Sequence, residues 1–290
     1  MRVLITGAAG QVGRELVHRA PPTVSLLALD RERLDITDDG AVAEVMHKFQ
    51  PTHIINAAAY TAVDRAETER DAAWALNALA PGTLAAAAAR SGCCRMIHIS
   101  TDYVFDGDSS RPYLTDDAPR PLSVYGASKL EGERAVLELL PAHSAIVRTS
   151  WVYGAHGRNF VHTMLRLMRE HSTVRVVADQ IGSPTAAGPL ADVLWALTLR
   201  PALTGLFHWT DAGTASWYDF AVAIAEDAQM RGLLGQPVTI TPIATEEYPT
   251  PARRPRLSLL DKRSTVAALG FAPEHWRTPL RAVLDELPHA

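Results

Sequence analysis

Residues 2 to 13 read Arg-Val-Leu-Ile-Thr-Gly-Ala-Ala-Gly-Gln-Val-Gly, a short apolar run that breaks at Gly7 into a glycine-spaced turn and then into a helical stretch. A strand that passes directly into a helix packs that helix back over the sheet it has just left, which points to a parallel α/β architecture. Glycine at Gly7, Gly10 and Gly13 permits positive φ and lets the backbone come close to a ligand. The start of a helix adds unpaired N–H groups and the positive end of its dipole. A dinucleotide pyrophosphate fits such a turn. The alternative is a glycine-rich turn without ligand, since motifs this short recur by chance.

The first half of the chain repeats the rhythm. Apolar runs at 2–6, 24–29, 53–56, 95–100 and 145–149 read as buried strands, and 11–20, 41–49, 71–91 and 125–140 have the length and spacing of helices. The runs lack polar alternation, as strands covered on both faces do. The fold class is therefore α/β, a Rossmann-type doubly wound parallel sheet with its ligand at the carboxyl ends of the strands. Beyond about residue 155 the pattern loosens into helical stretches at 159–170, 189–199 and 216–228, separated by 174–178, 206–209 and a proline-rich run at 237–255. This reads as a smaller C-terminal α+β lobe for substrate. The expected division is a dinucleotide-binding domain over 1–155, with a segment within about 172–205 returning to the main sheet, and a mainly substrate-binding lobe over 156–290.

Composition narrows the class. The 290 residues are 47% hydrophobic, enough for a large core. Net charge is −4 and the 28 basic residues are dispersed, so no nucleic-acid or membrane partner is expected. No run approaches the roughly 18 apolar residues of a membrane helix, and the N-terminus lacks a leader pattern. Cys93 and Cys94 are adjacent, too close for an ordinary structural disulfide, which suits reduced thiols. The expectation is a cytoplasmic protein starting at Met1, a monomer or homodimer.

Asp30 closes the second apolar run about 17 residues after Gly13, where a carboxylate can accept from the adenosine ribose hydroxyls. That favours NAD, whereas Arg31 and Arg33 suit the 2′-phosphate of NADP, so NADH and NADPH both stay open.

Tyr125 and Lys129 are spaced i, i+4 on a helical stretch, and Thr101 ends the fourth apolar run at the sheet edge where ligands bind. An ammonium beside a phenol lowers the phenol's pKa from about 10 and makes it a better proton donor. The three suit ketone reduction: nicotinamide delivers hydride to carbon, Tyr125 gives the proton, Thr101 hydrogen-bonds the carbonyl oxygen, and Lys129 also holds the nicotinamide ribose. A lone Tyr-x-x-x-Lys is weak, but its order and distance from the glycine turn strengthen it.

Longer segments carry a resemblance. Ile5-Thr6-Gly7 through Gly13, Leu34-Asp35-Ile36-Thr37, the run from Asn56 to Asp64, Ile99 to Gly107, Pro121 to Glu133, Arg148 to Gly154 and Asp179 to Thr185 resemble, in order, the dTDP-4-dehydrorhamnose reductase family of the extended short-chain dehydrogenase/reductase superfamily. The resemblance implies reduction of the 4-keto group of a dTDP-linked deoxysugar by NADH or NADPH. It implies cofactor contact for Gly7, Gly10, Gln11, Val12, Asp30, Arg31, Asp35, Ile36 and Ile99, with Ala59, Tyr60, Thr61, Tyr125 and Lys129 on the nicotinamide side. Thr101, Asp102 and Trp151 are implied at the substrate. Asn77 matches an asparagine of related enzymes, as a structural residue or a proton relay.

Two departures stand out. The family's Arg-Pro-x-Asn-Ser run is Arg254-Pro255-Arg256-Leu257-Ser258 here, so Leu257 replaces a hydrogen-bonding asparagine, while Arg253, Arg254 and Arg256 suit a diphosphate. Ala186-Ala187-Gly188-Pro189 has no carboxylate where some relatives join through magnesium, so no metal ligand is assigned and a Mg2+ requirement stays open. Two rival readings remain: reduction of another dTDP-6-deoxyhexulose, and a non-catalytic regulator resembling the β-subunit of methionine adenosyltransferase.

Overall fold

The computed structural model describes residues 1–92 and 94–288. Five strands come from the first half: β1 (Arg2–Thr6), β2 (Ser25–Leu29), β3 (His53–Asn56), β4 (Arg95–Thr101) and β5 (Ser144–Thr149). A sixth, Gly205–His208, adds to the free edge of β5, and every pairing is parallel. Across the sheet the order is β2, β1, β3, β4, β5 and the sixth strand. The chain thus moves outward from β1 to β2 and then crosses back to β3. The carboxyl ends of β1 and β3 flank this reversal, and there helices depart to opposite faces and leave a crevice.

Strand alternation divides the core. Leu4, Ile54, Met96 and Ile146 pack with Val42, Leu84 and Val136 on one face, while Val3, Ile5, Ile55, Ile97 and Val147 pack with Leu16, Leu190 and Leu194 on the other. A separate cluster built on Tyr153, Val161, Leu165, Phe220, Ile224 and Leu280 forms the core of the C-terminal part.

Several sequence readings shift on contact with the structure. The segment expected to return to the main sheet within about 172–205 holds the helix Ala187–Thr198 on the sheet face, and the edge strand Gly205–His208 begins where that range ends. The run 173–177 instead pairs with Thr239–Ile243, a strand inside the proline-rich stretch. Pro242 is tolerated because this ribbon has only two strands and leaves an edge without ladder partners. The helices Arg263–Leu269 and Arg277–Asp285 have no counterpart in the sequence reading.

The helical segment Arg70–Arg90 is, contrary to expectation, long and apolar enough by length and composition to cross a membrane. Its alanines have a different use: Ala80, Leu84, Ala85 and Ala88 are buried in the sheet core. Cys94 is a buried free thiol, pushed by burial up to about 12. The reading of the Cys93–Cys94 pair involves Cys93, which lies outside the described residues.

Candidate active site

The glycine turn sits at the crevice. Gly7 has φ +73°, and a Cβ on Gly13 would lie 2.2 Å from the Gly7 carbonyl oxygen, so the strand can reach the helix this tightly only without side chains. The helix Gln11–His18 has no side-chain cap and no acidic residue in its first turn. Its N-terminal N–H groups face the crevice without an internal acceptor, the donor set an anion requires.

Two cavities meet there. One is lined by Gly7, Gly10, Asp30, Arg31, Asp35, Ile36, Tyr60 and Arg65. The other is lined by Gln11, Val12, Ile99, Thr101, Asp102, Tyr125, Lys129, Trp151 and Trp217. Gly10, Ala57 to Ala59, Thr61 and Arg158 line both, so the two form one trough across the switch point. The trough gathers every sequence-predicted cofactor residue except Arg33 and, of the predicted substrate residues, Thr101, Asp102 and Trp151.

At the adenosine end, Asp30 Oδ1 accepts the N–H groups of Glu32 (3.1 Å) and Arg33 (3.2 Å), which fixes the loop after β2. Arg33 turns back to donate to the Ala28 carbonyl at 3.2 Å. Asp35 Oδ1 is held by the Thr37 N–H and hydroxyl at 2.9 and 2.7 Å. In the middle, Asn159 donates to Gln11 Oε1 at 2.9 Å and brings the loop carrying Arg158 over the glycine turn.

The helix Val124–Leu139 carries Tyr125 and Lys129 into the second cavity. Ser123 caps it, accepting from the Gly126 N–H at 3.2 Å, and Glu67 accepts from the Val124 N–H at 2.8 Å. Thr101 donates to Asp102 Oδ1 at 3.0 Å, accepts from the Tyr103 N–H at 3.2 Å and lines the same cavity as Tyr125. Burial drives the Tyr125 phenol up to about 12, only partly offset by the neighbouring Thr101 hydroxyl. The expected lowering by Lys129 does not occur. Lys129 is 2% exposed, donates to the Ile99 carbonyl at 2.6 Å, and is itself driven down to about 8 by burial. Asp102 Oδ2 and Thr149 Oγ1 are buried without a partner at the same site, polar atoms that a ligand can satisfy.

Asn77 lies in a π turn, Ala75–Leu79, within the Arg70–Arg90 segment. Its amide is fully used, accepting from the Tyr60 N–H at 2.8 Å and donating to the Tyr60 carbonyl and Ser128 hydroxyl at 3.0 and 3.2 Å. It thereby ties the loop after β3 to the helix of Tyr125. Arg254 does not line the trough; it pairs with Asp64 at 2.8 and 3.0 Å. Sequence reasoning misses Arg158 and Trp217, which also line the trough. Only Trp217 has a local signal, because Ser216 and Asp219 form a capping box at the start of its helix. Among the described residues no cluster of His, Cys, Asp or Glu is placed to hold a metal ion.

Chemistry of this kind on this fold belongs to the nicotinamide-dependent oxidoreductases of the extended short-chain class. The family model described as "RmlD substrate binding domain" matches residues 1–288, and the chain belongs to that family. A dTDP-4-dehydrorhamnose reductase of Aggregatibacter actinomycetemcomitans is 44% identical, over 97% of this chain and 98% of the relative. A probable dTDP-4,6-dihydroxy-2-methyloxan-3-one 4-ketoreductase of Streptomyces antibioticus is 42% identical, over 99% and 96%. The crystal structure of a dTDP-4-dehydrorhamnose reductase from Bacillus anthracis in complex with NADP superposes with a TM-score of 0.91 at 39% identity, covering 98% of this chain and 99% of that one.

Proposed function

We propose that this chain reduces the 4-keto group of dTDP-4-dehydro-L-rhamnose to give dTDP-L-rhamnose. The observation that carries the reading is the meeting of Thr101, Tyr125 and Lys129 in one cavity that runs without a break into the glycine-turn cavity.

A bound reduced nicotinamide supplies the hydride. Gly10, Gln11 and Val12 hold the pyrophosphate against the helix N-terminus, Asp30, Arg31, Asp35 and Ile36 surround the adenosine, and Ala59, Thr61, Ile99 and Lys129 bracket the nicotinamide half. Thr101 hydrogen-bonds the ketone oxygen and fixes its position relative to the Tyr125 hydroxyl. With its pKa near 12 the phenol stays protonated at neutral pH and has a proton to give as negative charge grows on that oxygen. Asp102 and Trp151 border the sugar, the indole offering an apolar face.

Arg31 lines the adenosine end and has no hydrogen-bond partner among the described residues, which supports acceptance of a 2′-phosphate and hence of NADPH as well as NADH. A second substrate reading, another dTDP-6-deoxyhexulose, is favoured by the 42% identity to the Streptomyces ketoreductase. One assay separates them: loss of reduced-cofactor absorbance with dTDP-4-dehydrorhamnose and each nicotinamide, followed by identification of the sugar. dTDP-L-rhamnose as product supports the proposal. Absence of turnover, or a different epimer, overturns it.

A further inference from the structure

Thr6, Asn56 and His98 occupy facing positions on the three adjacent strands β1, β3 and β4. They form a polar row at the carboxyl ends of β1 and β3. Asn56 and His98 are 0% exposed. Thr6 Oγ1 donates to Asn56 Oδ1 at 2.7 Å, and the Ala58 backbone N–H donates to the same oxygen at 3.1 Å. A backbone N–H can only donate, so the atom it meets is the amide oxygen and the orientation of Asn56 is fixed. Asn56 Nδ2 therefore donates to His98 Nδ1, 3.1 Å away. A neutral imidazole that accepts at Nδ1 carries its proton on Nε2. Nε2 lies 3.4 Å from Lys129 Nζ.

That contact discriminates between the two forms of the lysine. An Nε2–H pointed at an ammonium sets donor against donor, whereas pointed at a free amine it meets a lone pair. We propose that His98 is a positioning residue for Lys129: locked by Asn56 as the Nε2–H tautomer, it weakens the hold of Nζ on its proton and keeps the lysine at the floor of the cleft. Among the described residues, Glu133 on its own helix is the other charged group acting on Lys129, while Tyr125 and Asp102 line the same cavity. Glu133 pulls the other way, but its charge is shared with Arg148 of β5 at 2.7 and 2.9 Å. Burial and the neighbouring lysine hold His98 well below the ordinary histidine value, so the ring stays neutral while Lys129 titrates.

His98 matters to catalysis only through the role proposed for Lys129 above, but its tautomer and the titration of the lysine can be read without turnover. In the protein labelled with 15N-histidine, His98 should show an unprotonated Nδ1 and a protonated Nε2, while 13C-lysine labelling follows Lys129. Asn56→Asp is nearly isosteric and replaces the donor with an acceptor. The ring should switch to Nδ1–H, Nε2 should turn to accept from the ammonium, and the Lys129 midpoint should rise by about one pH unit or more. A protonated Nδ1 in the unaltered protein overturns the proposal, as does a folded Asn56→Asp protein whose Lys129 midpoint stays put. Should Asn56→Asp not fold, the spectrum of the unaltered protein still decides the tautomer, and His98→Gln, which removes the fixed donor, should raise the midpoint in the same sense. A chain with this tautomer that reduces no dTDP-sugar would sink the proposed function alone.

Discussion

Trp151 and Trp217 stack ring on ring, with centroids 3.5 Å apart and planes 9° from parallel. Trp151 has φ +50°, a left-handed conformation that a bulky residue adopts only when its surroundings impose it. One part of that constraint is Gly182, where a Cβ would lie 2.6 Å from Trp151 Cε2. Both indoles line the cleft, so the pair forms one wall of the proposed sugar site. Trp217→Ala should remove the stack and let Trp151 relax, raising the KM for the dTDP-sugar about two- to tenfold, the worth of one aromatic pair. Gly182→Ala should act in the same direction by pushing the Trp151 ring aside. The dissociation constant for reduced cofactor, followed by fluorescence, should change in neither variant. A KM for the sugar nucleotide unaltered in both would remove the tryptophan wall from substrate binding.

Tyr125 can be tested by removing one atom. Tyr125→Phe keeps the ring and its edge-on contact with Tyr103, whose centroid is 5.5 Å away, and loses only the hydroxyl. It should fold normally, bind cofactor as before and lose about 10²- to 10⁴-fold in kcat. Retention of more than about a tenth of the turnover would assign the proton to another group.

The parallel sheet is legible in the sequence because each of its first five strands is a compact apolar run bounded by turn residues, and a buried strand needs little else to declare itself. The Thr101, Tyr125 and Lys129 cluster is legible too, since helix periodicity joins two members and the strand end supplies the third. The Asn56–His98 contact is not, because 42 residues separate the two side chains and only the β3–β4 register brings them together. Trp217 is hidden for a similar reason: its helix can be read, but its approach to the cleft depends on how the C-terminal cluster packs. The strand Thr239–Ile243 is masked by Pro242, which local propensity counts against any strand. The engagement of Arg254 with Asp64 is hidden as well, since 190 residues separate the two.

That engagement gives a prediction. Arg254 is 21% exposed and Asp64 38%, so the pair is partly screened yet bidentate, and it ties the segment around Ala252 to the short helix Val63–Ala66 that follows β3. Arg254→Met should lower Tm by a few degrees, in line with about 1 kcal/mol for a half-exposed pair, and leave the KM for the dTDP-sugar within about twofold. A KM raised tenfold with Tm unchanged would instead put Arg254 on the substrate.

Asp102 should show itself in the pH dependence of stability. It is 2% exposed, Oδ2 has no partner, and burial drives the carboxyl from the ordinary 3.8 up to about 7, against the opposing influence of the nearby Ser258 and Thr101 hydroxyls. Between about pH 4 and pH 7 the folded protein keeps a proton that the unfolded chain has released. The folded state therefore binds more protons, and stability falls as pH rises through this window, with the loss complete above about pH 7. Asp211, also driven by burial to about 7, contributes a slope of the same sign, so the unaltered protein alone does not isolate Asp102. Asp102→Asn does, because it keeps a polar side chain of the same size and removes only the ionisation. The variant's Tm should exceed that of the unaltered protein by more near pH 8 than near pH 5, since only at the higher pH does the unaltered protein hold a buried carboxylate. A Tm difference that is the same at both values would mean that Asp102 titrates as an ordinary surface acid and that its burial is compensated by contacts beyond Thr101.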